Sequence, residues 1–235
     1  MIIHPLGTEL ELAEAAASFL AAKILKQPSL LFCAASGHTP TATYQKLQEK
    51  ISSEQANQLR ILKLDEWGGV SMSNPGTCEQ YLQKHLLMPW KITQKRYVAF
   101  QSNPKYPEQE IERIQEKLRD ESPIDLCVLG LGANGHIGFN EPGDSLQPHC
   151  HLAQLSPASL QHTMAAGMAD SPTYGLTLGM ADILQSRTIV MMITGSHKKG
   201  VAKAFLSQKI TTQLPASLLW LHPDVHCFID QAAYG

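Results

Sequence analysis

The chain has 235 residues, 43% of them hydrophobic, enough to bury a substantial core in one α/β domain. Nineteen lysines and arginines against 21 aspartates and glutamates leave a net charge of −2, with the cations scattered. That excludes a phosphate-backbone stripe for nucleic acid and a polybasic patch for a membrane surface. The amino terminus lacks a basic start followed by a long apolar core, and no stretch approaches the roughly 18 apolar residues of a membrane span. Five widely separated cysteines form no CxxC pair, so a cytoplasmic protein with reduced thiols and no structural zinc is expected.

Thr8 is placed to cap a first helix whose apolar positions Leu12, Ala16, Phe19, Leu20 and Ile24 recur at three and four, and Gln27-Pro28 ends it. A buried strand over 29–35 follows. Ser36-Gly37-His38-Thr39-Pro40 then turns the chain into a helix at 41–51, with Pro40 at its first position. The pattern repeats with a strand at 60–64, the turn Asp65-Glu66-Trp67 and a helix near 77–87. Residues 96–100 read as a short strand, 108–120 as a charged amphipathic helix and 124–129 as a buried strand. That strand feeds GLGANGHIGFNEPG at 130–143, a small-residue loop that lets backbone approach a ligand and carries His136 and Glu141. The stretch 147–174 is the least periodic and reads either as a lid or as an irregular segment. Residues 176–184 look helical, 188–193 form a buried strand, 198–208 a helix, and 218–221 with 226–230 the last strands. Such alternation predicts an α/β fold: a single doubly wound, mostly parallel sheet with helices on both faces, forming one catalytic domain over 1–235.

Four loops then fall at the carboxyl ends of strands, the edge where open α/β sheets place their ligands. Ser36, Gly37, His38 and Thr39 offer backbone N–H groups, hydroxyls and a helix amino terminus, a combination that suits a phosphate and equally a plain capping turn. Thr194-Gly195-Ser196-His197-Lys198 brings Lys198 to a helix amino terminus, where the dipole opposes a cation; it either meets an anion there or is solvated beside Lys199. Asp65, directly after an apolar strand, is a candidate general base or the cap of the next turn. His136, with Glu141 near enough to orient it, is the second proton-transfer group. His149-Cys150-His151 lacks a separate ligand pair and reads as structural, so no metal is expected. What remains is proton shuttling, without a cofactor, on a small phosphorylated molecule.

SGHTPTATY, LDEW, GLGANGHIGFNEPG and TGSHK occur in the order and spacing of the glucosamine-6-phosphate deaminase family, which the chain resembles over nearly its whole length. SGHTP and TGxxK are shared with the related 6-phosphogluconolactonases, whereas GHIxFNEP is specific. LKLDEW, NPGTCEQYL, SLQP and PASLLWLH look most similar to the galactosamine-6-phosphate isomerase (deaminase) branch. The resemblance implies a pyranose 6-phosphate opened to its aldehyde, a proton moved from C2 to C1, and the C2 amine lost as ammonia. On that reading D-galactosamine 6-phosphate gives D-tagatose 6-phosphate. Glucosamine-6-phosphate deamination, lactone hydrolysis and non-catalytic sugar-phosphate sensing are the alternatives. The resemblance assigns ring opening to His136, its orientation to Glu141, C2 proton transfer to Asp65, and the 6-phosphate to Ser36, Gly37, His38, Thr39 and Lys198. Two positions depart from the glucosamine pattern. Asn134 stands where those enzymes carry an aspartate and the galactosamine type carries asparagine, and 149–164 holds no arginine to match the family's phosphate ligand. The expected partner is a small sugar phosphate, with no nucleic acid and no membrane, and a homo-oligomer stays open because the family includes monomers and hexamers.

Overall fold

In the computed structural model, which describes residues 1–160 and 163–235, the short apolar runs become β1 (Ile2–Leu6), β2 (Leu31–Ala34), β3 (Arg60–Lys63), β4 (Asp65–Gly68), β5 (Tyr97–Val98), β6 (Leu126–Gly130), β7 (His151–Ala153), β8 (Tyr174–Thr177), β9 (Thr188–Ile193) and β10 (Val225–Asp230). Seven of them form one sheet in the order β1-β10-β9-β6-β2-β3-β5, and every pairing in it is parallel. Because side chains alternate along a strand, the central strands feed two separate cores. Phe32, Ala34, Val128 and Met192 pack on one face against Leu12, Leu20 and Leu47 of helices Glu9–Lys26 and His38–Lys50. Leu31, Cys33, Leu129 and Met191 pack on the other against Ile114 and Phe205, from helices Pro107–Glu121 and Lys199–Leu206. The sheet is thus doubly wound, as the alternation of elements predicts.

A second sheet, not expected from the sequence, is antiparallel and runs β4-β8-β7. Leu64 alone separates β3 from β4, so the chain leaves the large sheet and enters the small one at Asp65. This corrects the reading of 176–184 as one helix: Leu176 and Thr177 pair with Glu66 and Asp65, and a short helix, Met180–Leu184, begins only after Gly179. Strand pairing decided the outcome where apolar spacing was ambiguous. The strand expected at 218–221 lies instead in a 3-10 helix, Pro215–Leu221, where Pro215 fixes a helical φ in the first turn and Ser217 Oγ accepts from Thr211 N at 2.9 Å. Edge strand β1 was not foreseen; it is half exposed and carries Pro5, which only an edge position tolerates.

The remaining differences are of boundary. The second helix starts at His38 rather than 41, with Gly37 before it and Pro40 as its third residue. The helix near 77–87 splits into Cys78–Leu82 and a π turn, Gln83–Leu87. The stretch 147–174 carries β7 and short helices at Pro157–Leu160 and Thr163–Ala166, and its residues 161 and 162 lie outside the described residues. Among the described residues, no helix is long and apolar enough to cross a membrane.

Candidate active site

The carboxyl ends of β2, β3, β6 and β9 all deliver loops to one edge of the large sheet, where they enclose a cavity of about 520 Å³. Ser36, Gly37, His38, Thr39, Asp65, His136 and Lys198 line it, so seven of the nine residues singled out in the sequence meet on its walls. Asn134 and Glu141 stand behind His136 in the hydrogen-bonded layer that holds the loop.

One side of the cavity is built from the first and last of these loops. Gly37 has φ +116°, a left-handed conformation that favours glycine, and the helix starts at the next residue. This aims free backbone N–H groups and the positive end of the dipole at the cavity. Lys198 faces it, half-buried and without an acidic partner among the described residues, and burial lowers its pKa. A desolvated cation beside open N–H donors suits a bound anion. His38 sits at the rim, 79% exposed, with Nδ1 at 3.8 Å from Glu9 Oε1. Among the described residues lining the cavity there is no arginine.

Asp65 opens β4 at the cavity floor. Burial, with the neighbouring Glu66 charge adding to it, raises its carboxyl to about 7, against the opposing pulls of Cys78, His136 and Lys63. Its Oδ1 receives Cys78 Sγ at 3.6 Å, and Cys78 in turn accepts from Ser36 Oγ at 3.0 Å. Beneath it lies a buried ionic lattice. Glu66 accepts from the backbone N–H groups of Trp67, Cys78 and Glu79 at 2.8, 2.9 and 2.8 Å, and Lys63 Nζ reaches Glu66 and Glu79 at 2.7 and 2.9 Å. Burial pushes the Lys63 ammonium down, but the two carboxylates outweigh it and hold it charged.

His136 lies on Gly132. A Cβ there would come within 2.2 Å of the imidazole, so the position requires glycine, and backbone bonds Gly132 N to His136 O and Gly135 N to Gly132 O, both 3.0 Å, close the loop. Asn134 Oδ1 accepts from His136 N at 3.1 Å while its Nδ2 donates to Glu141 Oε2 at 2.8 Å. The same Glu141 oxygen is 3.4 Å from His136 Nδ1, which makes no aligned hydrogen bond. The other oxygen, Oε1, receives Ser156 Oγ at 3.0 Å and a short contact from Ser159 Oγ. Burial works to raise the Glu141 carboxyl, but His136, Ser159 and Asn134 hold it at about 2.

Sequence reading did not single out Cys78, Glu79, Ser156 or Ser159, because only tertiary pairing brings Cys78 to Asp65, Glu79 to Lys63 and the two serines to Glu141. His149 and His151 take structural bonds, to Asp182 Oδ1 at 3.0 Å and to the His149 carbonyl at 2.9 Å.

Backbone N–H donors and a lysine facing a raised carboxyl and a histidine, at the carboxyl edge of a doubly wound sheet, suit the class of enzymes that act on small phosphorylated molecules. The family model described as glucosamine-6-phosphate isomerases/6-phosphogluconolactonase matches residues 8–227, and the chain belongs to that family. An Escherichia coli (strain K12) protein named "Putative deaminase AgaI" is 42% identical, over 93% of this chain and 88% of its own. The glucosamine-6-phosphate deaminase of Bacillus pumilus (strain SAFR-032) is 34% identical, over 95% of this chain and 94% of its own. A solved monomeric glucosamine-6-phosphate deaminase superposes with a TM-score of 0.91 at 30% identity, covering 99% of this chain and 98% of that one. The 6-phosphogluconolactonase from Trypanosoma brucei, at 19% identity and TM-score 0.75 over 99% and 97% of the two chains, shares the fold.

Proposed function

We propose that the protein deaminates a hexosamine 6-phosphate, with D-galactosamine 6-phosphate as substrate and D-tagatose 6-phosphate and ammonia as products. The observation that carries this reading is the Asp65 carboxyl, raised to about 7 in the same cavity as His136 and the unpaired Lys198. A base poised near the working pH suits abstraction of a carbon-bound proton, and such acid–base steps contribute about 10²- to 10⁴-fold each. His136, oriented by Glu141 and Asn134, passes the proton between the ring oxygen and the C1 hydroxyl, opening the pyranose. Asp65 takes the C2 proton and returns it at C1. The resulting C2 imine adds water and expels ammonia, so one water is consumed for each ammonia released. Ser36 to Thr39 and Lys198 grip the remote 6-phosphate, and that binding energy sets C1 and C2 against Asp65 and His136.

Asn134 and the motifs shared with the galactosamine branch support the galactosamine epimer. The glucosamine epimer is the second reading, favoured by relatives of 34% and 30% identity that bear the glucosamine name. Parallel assays of ammonia release from both epimers, with His136→Ala as control, decide it: the faster sugar is the substrate, and release from neither rejects deamination. Asn134→Asp is expected to shift the ratio toward glucosamine 6-phosphate. Hydrolysis of 6-phosphogluconolactone that survives Asp65→Asn would move the reading to ester chemistry.

A further inference from the structure

We propose that Ser156 and Ser159 are positioning residues for the reaction: together they clamp the far oxygen of Glu141, so that its near oxygen stays aimed at His136. The inference rests on the deaminase reading and deepens it.

Glu141 divides its two oxygens between two parts of the chain. Oε2 faces its own loop, where Asn134 Nδ2 lies at 2.8 Å and His136 Nδ1 at 3.4 Å. Oε1 faces the segment between β7 and β8, from which Ser156 and Ser159 both point their hydroxyls at it. The two serines fix each other as well: Ser159 N donates to Ser156 Oγ at 3.1 Å, and the hydroxyl oxygens are 3.2 Å apart. Each hydroxyl has one proton: Ser159 directs its own at Glu141, and Ser156 has Glu141 Oε1 at 3.0 Å as its shorter acceptor and Ser159 Oγ at 3.2 Å as its longer one. Ser159 is 2% exposed and lines the cavity.

A glutamate carboxylate is a broad, nearly two-fold rotor about its last torsion. With donors on one oxygen only, it turns; with donors on both, it is locked, and the lock sets where the imidazole points. The clamp also tempers charge. Three neutral donors, Asn134, Ser156 and Ser159, share the negative charge of Glu141. Asp65, from β4, also faces His136, and His38, Cys78, His197 and Lys198 line the same cavity; no lysine or arginine among the described residues pairs with Glu141. The serines sit fifteen and eighteen residues beyond Glu141 in the chain, so the segment that supplies Met164 to the cavity wall also reaches the histidine through this clamp.

The test compares wild type with Ser156→Ala/Ser159→Ala and with Ser156→Thr, which keeps the hydroxyl at the half-buried position. The expected result for the double variant is a fall in kcat of roughly 10- to 100-fold, the scale of a small misplacement at a reacting centre, with KM changed less than about threefold. The histidine-dependent limb of the pH profile is expected to move, because the carboxylate beside the imidazole is no longer held in place. Ser156→Thr should behave like wild type. The ring ¹⁵N signals of His136, recorded on ligand-free protein, should move in the double variant, and in Ser156→Ala if the double variant does not fold. An unchanged limb and unchanged ring signals overturn the clamp. Absence of ammonia release from wild type, with the ring signals still moving, overturns the deaminase reading and leaves the clamp standing.

Discussion

Asp65 has a carboxyl raised to about 7 against an ordinary 3.8, and the sign of that shift has two measurable consequences. As a base it works only when ionised, so kcat/KM is expected to rise with pH through about 7. The folded protein also keeps a proton that the unfolded chain has released, so this group's contribution to stability falls from about pH 4 to about pH 7 and stays low above it. Asp65→Asn should therefore abolish ammonia release yet raise Tm at pH 8 by about 5 °C, with no gain at pH 4, in paired calorimetric scans. Gly132→Ala places a methyl where the His136 ring lies, 2.2 Å away. Loss of most activity with little change in the urea midpoint is expected, since the strain falls on a loop at the sheet edge. Lys198→Ala should raise KM for the sugar phosphate by tenfold or more, read in steady-state assays, while Asp65 and His136 keep their geometry.

Among the elements, the turn from β3 into β4 is held by buried charge as well as by the apolar packing of Leu62, Leu64 and Trp67. Lys63 is 0% exposed and reaches Glu66 and Glu79 at 2.7 and 2.9 Å. Lys63→Met would leave two carboxylates without their cation, and a loss of about 3–5 kcal/mol in urea unfolding is expected. The sequence could not announce this lattice, because LKLDEW reads as a strand and a turn, and the partner Glu79 comes from another helix. Other elements were legible where one local signal dominated. Thr188–Ile193 is a strand over the predicted residues because it is buried throughout and apolar from Ile189 on, and Thr8 caps the first helix in a capping box with Glu11. Leu176 to Leu184 was misread because Leu176, Met180, Ile183 and Leu184 repeat at helical spacing, and only pairing with β4 selects the strand. Within the site, the glycine-rich loop declared His136, but nothing in the spacing of Ser156 and Ser159 pointed to Glu141.

At the scale of the whole molecule, the proposed anion cradle belongs to the large sheet and the proposed base to the small one. Ser36 to Thr39 and Lys198 extend from β2 and β9, whereas Asp65 is the first residue of β4, with Leu64 as the one residue between the two sheets at that point. On the proposed function, a hexosamine phosphate seated in the cavity would span that seam, gripped at C6 by one layer and approached at C2 by the other. The ligand then acts as a brace across the fold, and its grip should be felt well away from the atoms it touches. Hydrogen exchange with sugar phosphate bound is expected to slow in β7 and β8, which lie in the three-stranded sheet, more than in β6 and β9 at the centre of the large sheet. Equal slowing in both sheets would mean that they already move as one body, and that the substrate finds the distance between anchor and base already set.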